Sequence, residues 1–96
     1  PAVCVVLVPG GYPGKYETGQ VIEGLERVDP DVLVFHGGTK LVDGKVVTSG
    51  GRSLTVAARG ATVREARERA YDNVRRIRFK HMHYRTDIAL EAVEEA

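Results

Sequence analysis

Two short stretches of this sequence place a glycine pair beside a basic residue: His36-Gly37-Gly38-Thr39-Lys40 and Ser49-Gly50-Gly51-Arg52. Glycines let backbone N–H groups approach a ligand closely. The Arg52 guanidinium is a planar fork matched to phosphate oxygens, and Lys40 adds a mobile positive charge. If the fold brings the two stretches together, Lys40, Gly50, Gly51 and Arg52 form a small anion pocket. His36 stands next to it, able either to bond a ligand or to cap a backbone carbonyl. The spacing fits equally two ordinary glycine turns carrying exposed cations, so from the residues alone both readings stand.

The other chemistry-bearing residues read more plainly. His81 and His83 are two apart and, in an extended segment, point to opposite faces; without an acidic or thiol ligand nearby they are expected to be surface or packing residues, with no metal. Cys4 lies inside the apolar run Val3-Cys4-Val5-Val6-Leu7-Val8, with no electropositive neighbour to make it a thiolate, and is expected in the core. Asp87 reads as a helix N-cap paired with Arg85. No acid, base or nucleophile constellation emerges, so no catalytic residue is assigned.

The elements that position these residues follow from periodicity. Residues 2–8 are apolar on both faces, the pattern of a strand covered on both sides, and Pro9-Gly10-Gly11-Tyr12-Pro13-Gly14 ends it in a turn-rich loop. Residues 15–30 read as irregular, with short extended pieces. A second strand is expected over residues 32–36. Leu41-Val42 and Val46-Val47 flank Asp43-Gly44-Lys45, a hairpin signal because Asp-Gly tolerates the positive φ angles of a tight turn. Residues 53–58 form a further strand.

The helix has the strongest signature. Val63, Ala66, Ala70, Val74 and Ile77 make one apolar stripe, and Thr62 with Glu65 matches a capping box. Arg64, Arg67, Arg75 and Arg78 lie on the other side. Glu65, Glu68 and Asp72 interrupt them, so a solvated face is expected rather than a nucleic-acid footprint. A short helix over residues 88–95, capped by Thr86 or Asp87, is expected to close the chain.

Composition limits the rest. Ninety-six residues make one domain, small for an enzyme that must hold a nucleotide and two further substrates. With 43% hydrophobic and 28% charged residues it reads as a soluble globular chain, and a net charge of +1 gives no general pull toward nucleic acid. The apolar run at residues 3–8 is too short to span a membrane. One cysteine allows no internal disulfide, which suits the cytoplasm. The first residue is Pro1, which reads as a fragment or processed piece.

Four segments in order, Gly10-Gly11-Tyr12-Pro13-Gly14, Val34-Phe35-His36-x-Gly38-Thr39-Lys40, Thr48-x-Gly50-Gly51-Arg52 and Tyr84-Arg85-x-Asp87-Ile88, together resemble the C-terminal domain of the phosphoribosylamine–glycine ligases. These are members of the ATP-grasp superfamily, which activate a carboxylate as an acyl phosphate and pass the acyl group to an amine. Pro9 and His81-Met82-His83 depart from the usual pattern.

The resemblance implies an α+β, β-rich fold: a small antiparallel sheet, barrel-sandwich-hybrid-like, with one packed amphipathic helix and a short C-terminal helix. It implies that residues 1–96 are the ligase's C-terminal domain, with the ATP-grasp and N-terminal domains outside the chain. ATP and Mg²⁺ (or Mn²⁺) are then bound mainly by those domains, and the partners are those domains and the substrates 5-phosphoribosylamine and glycine, with no nucleic acid or membrane. By comparison with related ligases, Lys40, Gly50, Gly51 and Arg52 are expected to hold the ribose phosphate, with His36 beside them, while the domain closes the substrate site. The alternatives are a free-standing anion- or RNA-binding module and a docking module without catalysis.

Overall fold

The computed structural model describes residues 1–90. The apolar run at the start forms β1 (Ala2–Pro9), and β2 (Leu33–His36), β3 (Thr39–Val42) and the Asp43-Gly44 turn into β4 (Lys45–Thr48) follow as the residue types suggest. After β5 (Leu54–Arg59) come the helix α1 (Val63–Val74) and a two-residue strand, β6 (Met82–His83), that the sequence does not announce. The strands make a four-stranded sheet in the order β2-β5-β1-β6 and a separate two-stranded sheet, β3-β4. Every pairing is antiparallel. The chain is thus α+β and β-rich, a small antiparallel sheet with one packed helix, as expected.

The helix packs on one face of the sheet because its inward positions are small. Ala66 and Ala70 are fully buried, and their short side chains let the helix lie close over Val5, Leu54 and Val56, which are also fully buried. Thr62 caps the helix, its Oγ1 accepting from the Glu65 amide at 3.1 Å. Glu65 reaches back one residue further than a capping box requires, accepting from the Ala61 amide at 3.3 Å. Ile77 is buried with the stripe but lies outside the helix. The chain leaves α1 at Val74 through i→i+3 turns, the Ile77 amide donating to Val74 O at 3.1 Å, which keep Ile77 on the same side.

One expectation fails. Along β1 only Val3, Val5, Leu7 and Pro9 are buried, while Ala2 and Cys4 are exposed and Val6 and Val8 are half-buried. Cys4 is a free, exposed thiol and not a core residue. In a strand apolar at every position, alternation cannot reveal which face is covered.

The irregular stretch before β2 does hold extended pieces. Val21 bridges to Val47 and Glu23 to Arg78, and between it and β2 lies a single 3₁₀ turn, Leu25–Arg27, entered through Gly24. That stretch is pinned to α1 by a buried amide. Asn73 accepts from the Asp29 amide (2.8 Å) and from Arg76 (3.1 Å), and donates to the Asp29 carboxylate (3.2 Å) and to Arg69 O (2.9 Å). All its polar atoms are satisfied, as a fully buried amide requires.

Arg76 also bonds the Asp29 carboxylate at 2.7 Å, and this bond, followed by the one from Asn73, holds the Asp29 carboxyl below its ordinary value of 3.8. A carboxyl whose pKa is depressed on folding contributes stability that is full above the unfolded value and is lost as pH falls through the folded one. The melting temperature is therefore expected to drop on acidification below the ordinary carboxyl value. Asp29→Asn should flatten that acid limb in a series of thermal melts; an unchanged acid limb would show that the contact is not coupled to folding.

The C-terminal stretch is strapped to α1. Tyr71 Oη donates to Arg85 O and accepts from the Ile88 amide at 3.2 Å, and Arg67 Nε donates to Ile88 O at 3.0 Å. The Asp87 carboxylate takes both arms of Arg85, each at 2.9 Å, so the expected pairing is present; the Leu90 amide goes to Asp87 O. Most of the helix expected over residues 88–95 falls on residues 91–96, outside the described residues.

Candidate functional site

The two glycine stretches meet because both are crossings between the sheets. The chain leaves the large sheet at His36, which pairs with Leu54, and enters the hairpin at Thr39, which pairs with Thr48. It returns by the loop that runs from Thr48 to Leu54. The two crossings therefore run side by side, and glycine is needed where they touch. A Cβ on Gly38 would lie 2.7 Å from Gly50 Cα, and one on Gly37 would lie 2.6 Å from Arg52 O. Both figures are closer than a Cβ approaches a non-bonded carbon or oxygen atom.

Backbone bonds lock the contact. Gly38 O accepts from the amides of Ser49 (2.7 Å) and Gly50 (3.2 Å), and Ser53 O accepts from those of Gly37 and Gly38, both at 3.2 Å. Ser53, fully buried, ties the loop further: its hydroxyl donates to Gly50 O at 3.0 Å and its amide to Leu7 O at 3.1 Å. The amides of Gly37, Gly38 and Gly50 are thereby consumed by the fold. Their job is close approach rather than donation to a ligand. Among the described residues, the amides of Gly51 and Arg52 have no intrachain acceptor.

The side chains divide accordingly. Lys40, on β3, and Arg52, on the returning loop, are exposed and form no ion pair among the described residues. His36 is also exposed, and its Nδ1 lies 2.9 Å from Thr39 Oγ1, so the ring is held at the crossing. Lys40 and Arg52 therefore each stand two residues beyond a glycine of one backbone junction, Gly38 and Gly50, which also carries two unspent amides; cations and free amides are the groups that phosphate recognition uses.

Sequence reasoning missed Tyr12. A Cβ on Gly51 would lie 2.0 Å from Tyr12 Cε2, so the tyrosine ring rests on the Gly51 backbone. Tyr16 meets that ring edge-on, with centroids 5.7 Å apart. The Gly10-Gly14 loop is thus a wall of the junction, anchored by the Gly10 amide donating to His81 O at 2.7 Å. The available signal was the pairing of a tyrosine inside a glycine loop with a glycine that has no turn to explain it, but 39 positions separate the two in the sequence.

Other surfaces offer less. A cavity of about 640 Å³ lies between the Gly24 turn and the end of α1, away from the crossings, with Arg27, Arg75 and Arg76 among its lining residues. Those arginines face their own counter-charges: Glu26, Asp72 and Asp29, respectively. Arg67 and Arg69 are likewise engaged, by Ile88 O and by Arg59 O. Of the four arginines expected on the solvated face, Arg75 and Arg67 are thus engaged, while Arg64 and Arg78 are exposed and form no ion pair among the described residues. Among the described residues no three His, Cys, Asp or Glu side chains come together, so these residues do not fit a Mg²⁺ or Mn²⁺ site of their own.

Comparison with known proteins agrees with the four motifs. The family model described as "Phosphoribosylglycinamide synthetase, C domain" matches residues 2–91. The chain belongs to this family.

Members of the family appear among its relatives. The chain is 51% identical over 94 residues to a phosphoribosylamine–glycine ligase of Pseudomonas aeruginosa, covering 97% of this chain and 22% of the relative. A ligase of the same name from Halalkalibacterium halodurans is 45% identical over 91 residues, covering 95% and 21%. The crystal structure of phosphoribosylamine–glycine ligase from Thermotoga maritima superposes with a TM-score of 0.80 at 40% identity, covering 90% of this chain and 21% of that one. The chain spans about a fifth of the length of the relatives it matches.

Proposed function

We propose that the chain works as the C-terminal domain of an ATP-dependent ligase that joins glycine to 5-phosphoribosylamine, giving glycinamide ribonucleotide, ADP and phosphate in purine synthesis. The observation that supports this reading is the backbone junction at Gly38 and Gly50, where the segment leading to Lys40 touches the segment leading to Arg52, within a domain of that family. The domain's part is to close the substrate side and hold the ribose phosphate. Arg52 supplies the bidentate fork, the Gly51 and Arg52 amides point donors, Lys40 long-range charge, and His36 a ring fixed by Thr39.

ATP and its divalent metal are bound by the other domains of the ligase, where glycine is activated as an acyl phosphate and the amine attacks. No described helix is long and apolar enough to cross a membrane, and the free thiol of Cys4 suits a reducing cytoplasm.

The test is made in the full-length ligase. Arg52→Ala is expected to raise KM for phosphoribosylamine about 10-fold or more while leaving KM for ATP nearly unchanged, as loss of a charge-assisted pair to one substrate requires. Equal effects on both substrates, or none on either, would refute the assignment.

A further inference from the structure

The four-stranded sheet has two faces, and α1 covers only one. On the other, β1 offers Cys4 and Val6, β5 offers Thr55 and Ala57, and β2 offers Leu33 and Phe35. The register sets them in rows, with Cys4 and Leu33 both opposite Ala57, and Val6 and Phe35 both opposite Thr55. None of these six is charged. Leu33 and Phe35, on the edge strand β2, are 54% and 55% exposed, and side by side they make an apolar patch of the kind that marks a contact surface. A cavity of about 570 Å³ reaches this face, lined by Leu33, Phe35 and Ala57 together with Asp31, Arg59 and, from α1, Arg69.

A second observation points the same way. β1 is apolar at every position, the composition of a strand buried on both sides, yet only alternate residues are buried here. Sequence and burial disagree over one face of one strand, and a covering layer on that face removes the disagreement. The relatives are nearly five times as long as this chain, so a full-length ligase carries the material for such a layer.

We infer that the outer face of β2-β5-β1 is the surface on which the remaining domains of the ligase dock, through the apolar patch that includes Cys4, Ala57 and Phe35. This rests on the ligase reading, and deepens it by naming the interface. The docked layer fixes the position of the domain from behind, and the phosphate-facing crossings lie at the end of β2 and the start of β5, so the interface sets their aim toward the rest of the active site.

Cys4 is the probe. It is to be alkylated with N-ethylmaleimide in the native 96-residue chain and in the native full-length ligase, with modification followed on the peptide that contains it. Labelling in the full-length protein is expected to be slower by about tenfold or more, since a packed interface opens only transiently. As control, Arg64→Cys in a Cys4→Ser background puts the thiol on the exposed side of α1, and its rate should be alike in the two proteins.

Equal labelling of Cys4 in both proteins overturns the inference. So does protection of the isolated chain that grows with its concentration, which would mean that a second copy covers the face. Protection of the Arg64→Cys thiol with Cys4 still open would overturn it too, placing the interface on the helix side. Ligase turnover of the same unlabelled full-length sample reports separately on the substrate assignment, so an inactive protein with a protected Cys4 would count against the function and not against the interface.

Discussion

Gly24→Ala should unfold this domain more readily than any change of one methyl group in its apolar core. Gly24 has φ +89°, a backbone conformation that costs an L-residue about 1–2 kcal/mol. The added Cβ would lie 1.7 Å from Arg76 O, and the obstacle is backbone that two further bonds hold in place: the Glu23 amide to Arg78 O at 2.7 Å and the Arg78 amide to Glu23 O at 2.8 Å. Neither partner can rotate away as a side chain does. A loss of about 3 kcal/mol or more is expected, which for a domain of this size lowers Tm by more than about 10 °C. Gly19→Ala is the matched control, since Gly19 has φ +83° but nothing within 4 Å of its missing Cβ. If the two substitutions cost the same in parallel thermal melts, the collision with Arg76 contributes nothing and the packing of the 3₁₀ turn on α1 has been misjudged.

The second large effect is expected at the crossing. A Cβ on Gly38 meets three backbone atoms of Gly50 at 2.7, 2.9 and 2.9 Å, so Gly38→Ala must push the two loops apart. The Ser49 and Gly50 amides then lose Gly38 O. Displacing substrate-holding groups by about 1 Å costs on the order of 10²-fold in rate. In the full-length ligase kcat/KM for phosphoribosylamine is therefore expected to fall by about 10²-fold, with KM for ATP much less affected. Gly38→Ala differs from Arg52→Ala in removing no charge. Its loss would establish that the spacing of the loops matters, and normal turnover with separated loops would exclude this junction as the phosphate clasp.

Much of this was legible in the sequence where the controlling physics is local. Asp43-Gly44 specified its hairpin, Asp43 and Gly44 both taking positive φ, and Thr62 specified the helix start, because each acts within four residues of itself. The two glycine pairs signalled a special backbone requirement, yet not which one. They are small so that two chain segments can touch, and three of the amides that made them resemble an anion cradle are spent on that contact. Tyr12 on Gly51, β6 on the edge of β1, and the exposure of Cys4 were beyond reach for one reason. Each is decided by what lies opposite in space, and the sequence around each is the same whichever way that comes out.

The two cations proposed to hold the phosphate stand on different elements. Lys40 belongs to the β3-β4 hairpin, while Arg52 belongs to the loop anchored through Ser53 to β1 of the large sheet. Among the described residues, the paired crossings and the strip of residues 19–22, which bonds the hairpin's other edge, run between them. The separation of the two charges is therefore a gauge of hairpin tilt. A bound phosphate bridging both would act as a strut, adding a brace to the angle between two sheets already held by the crossings and by the packing of Val46 on the core.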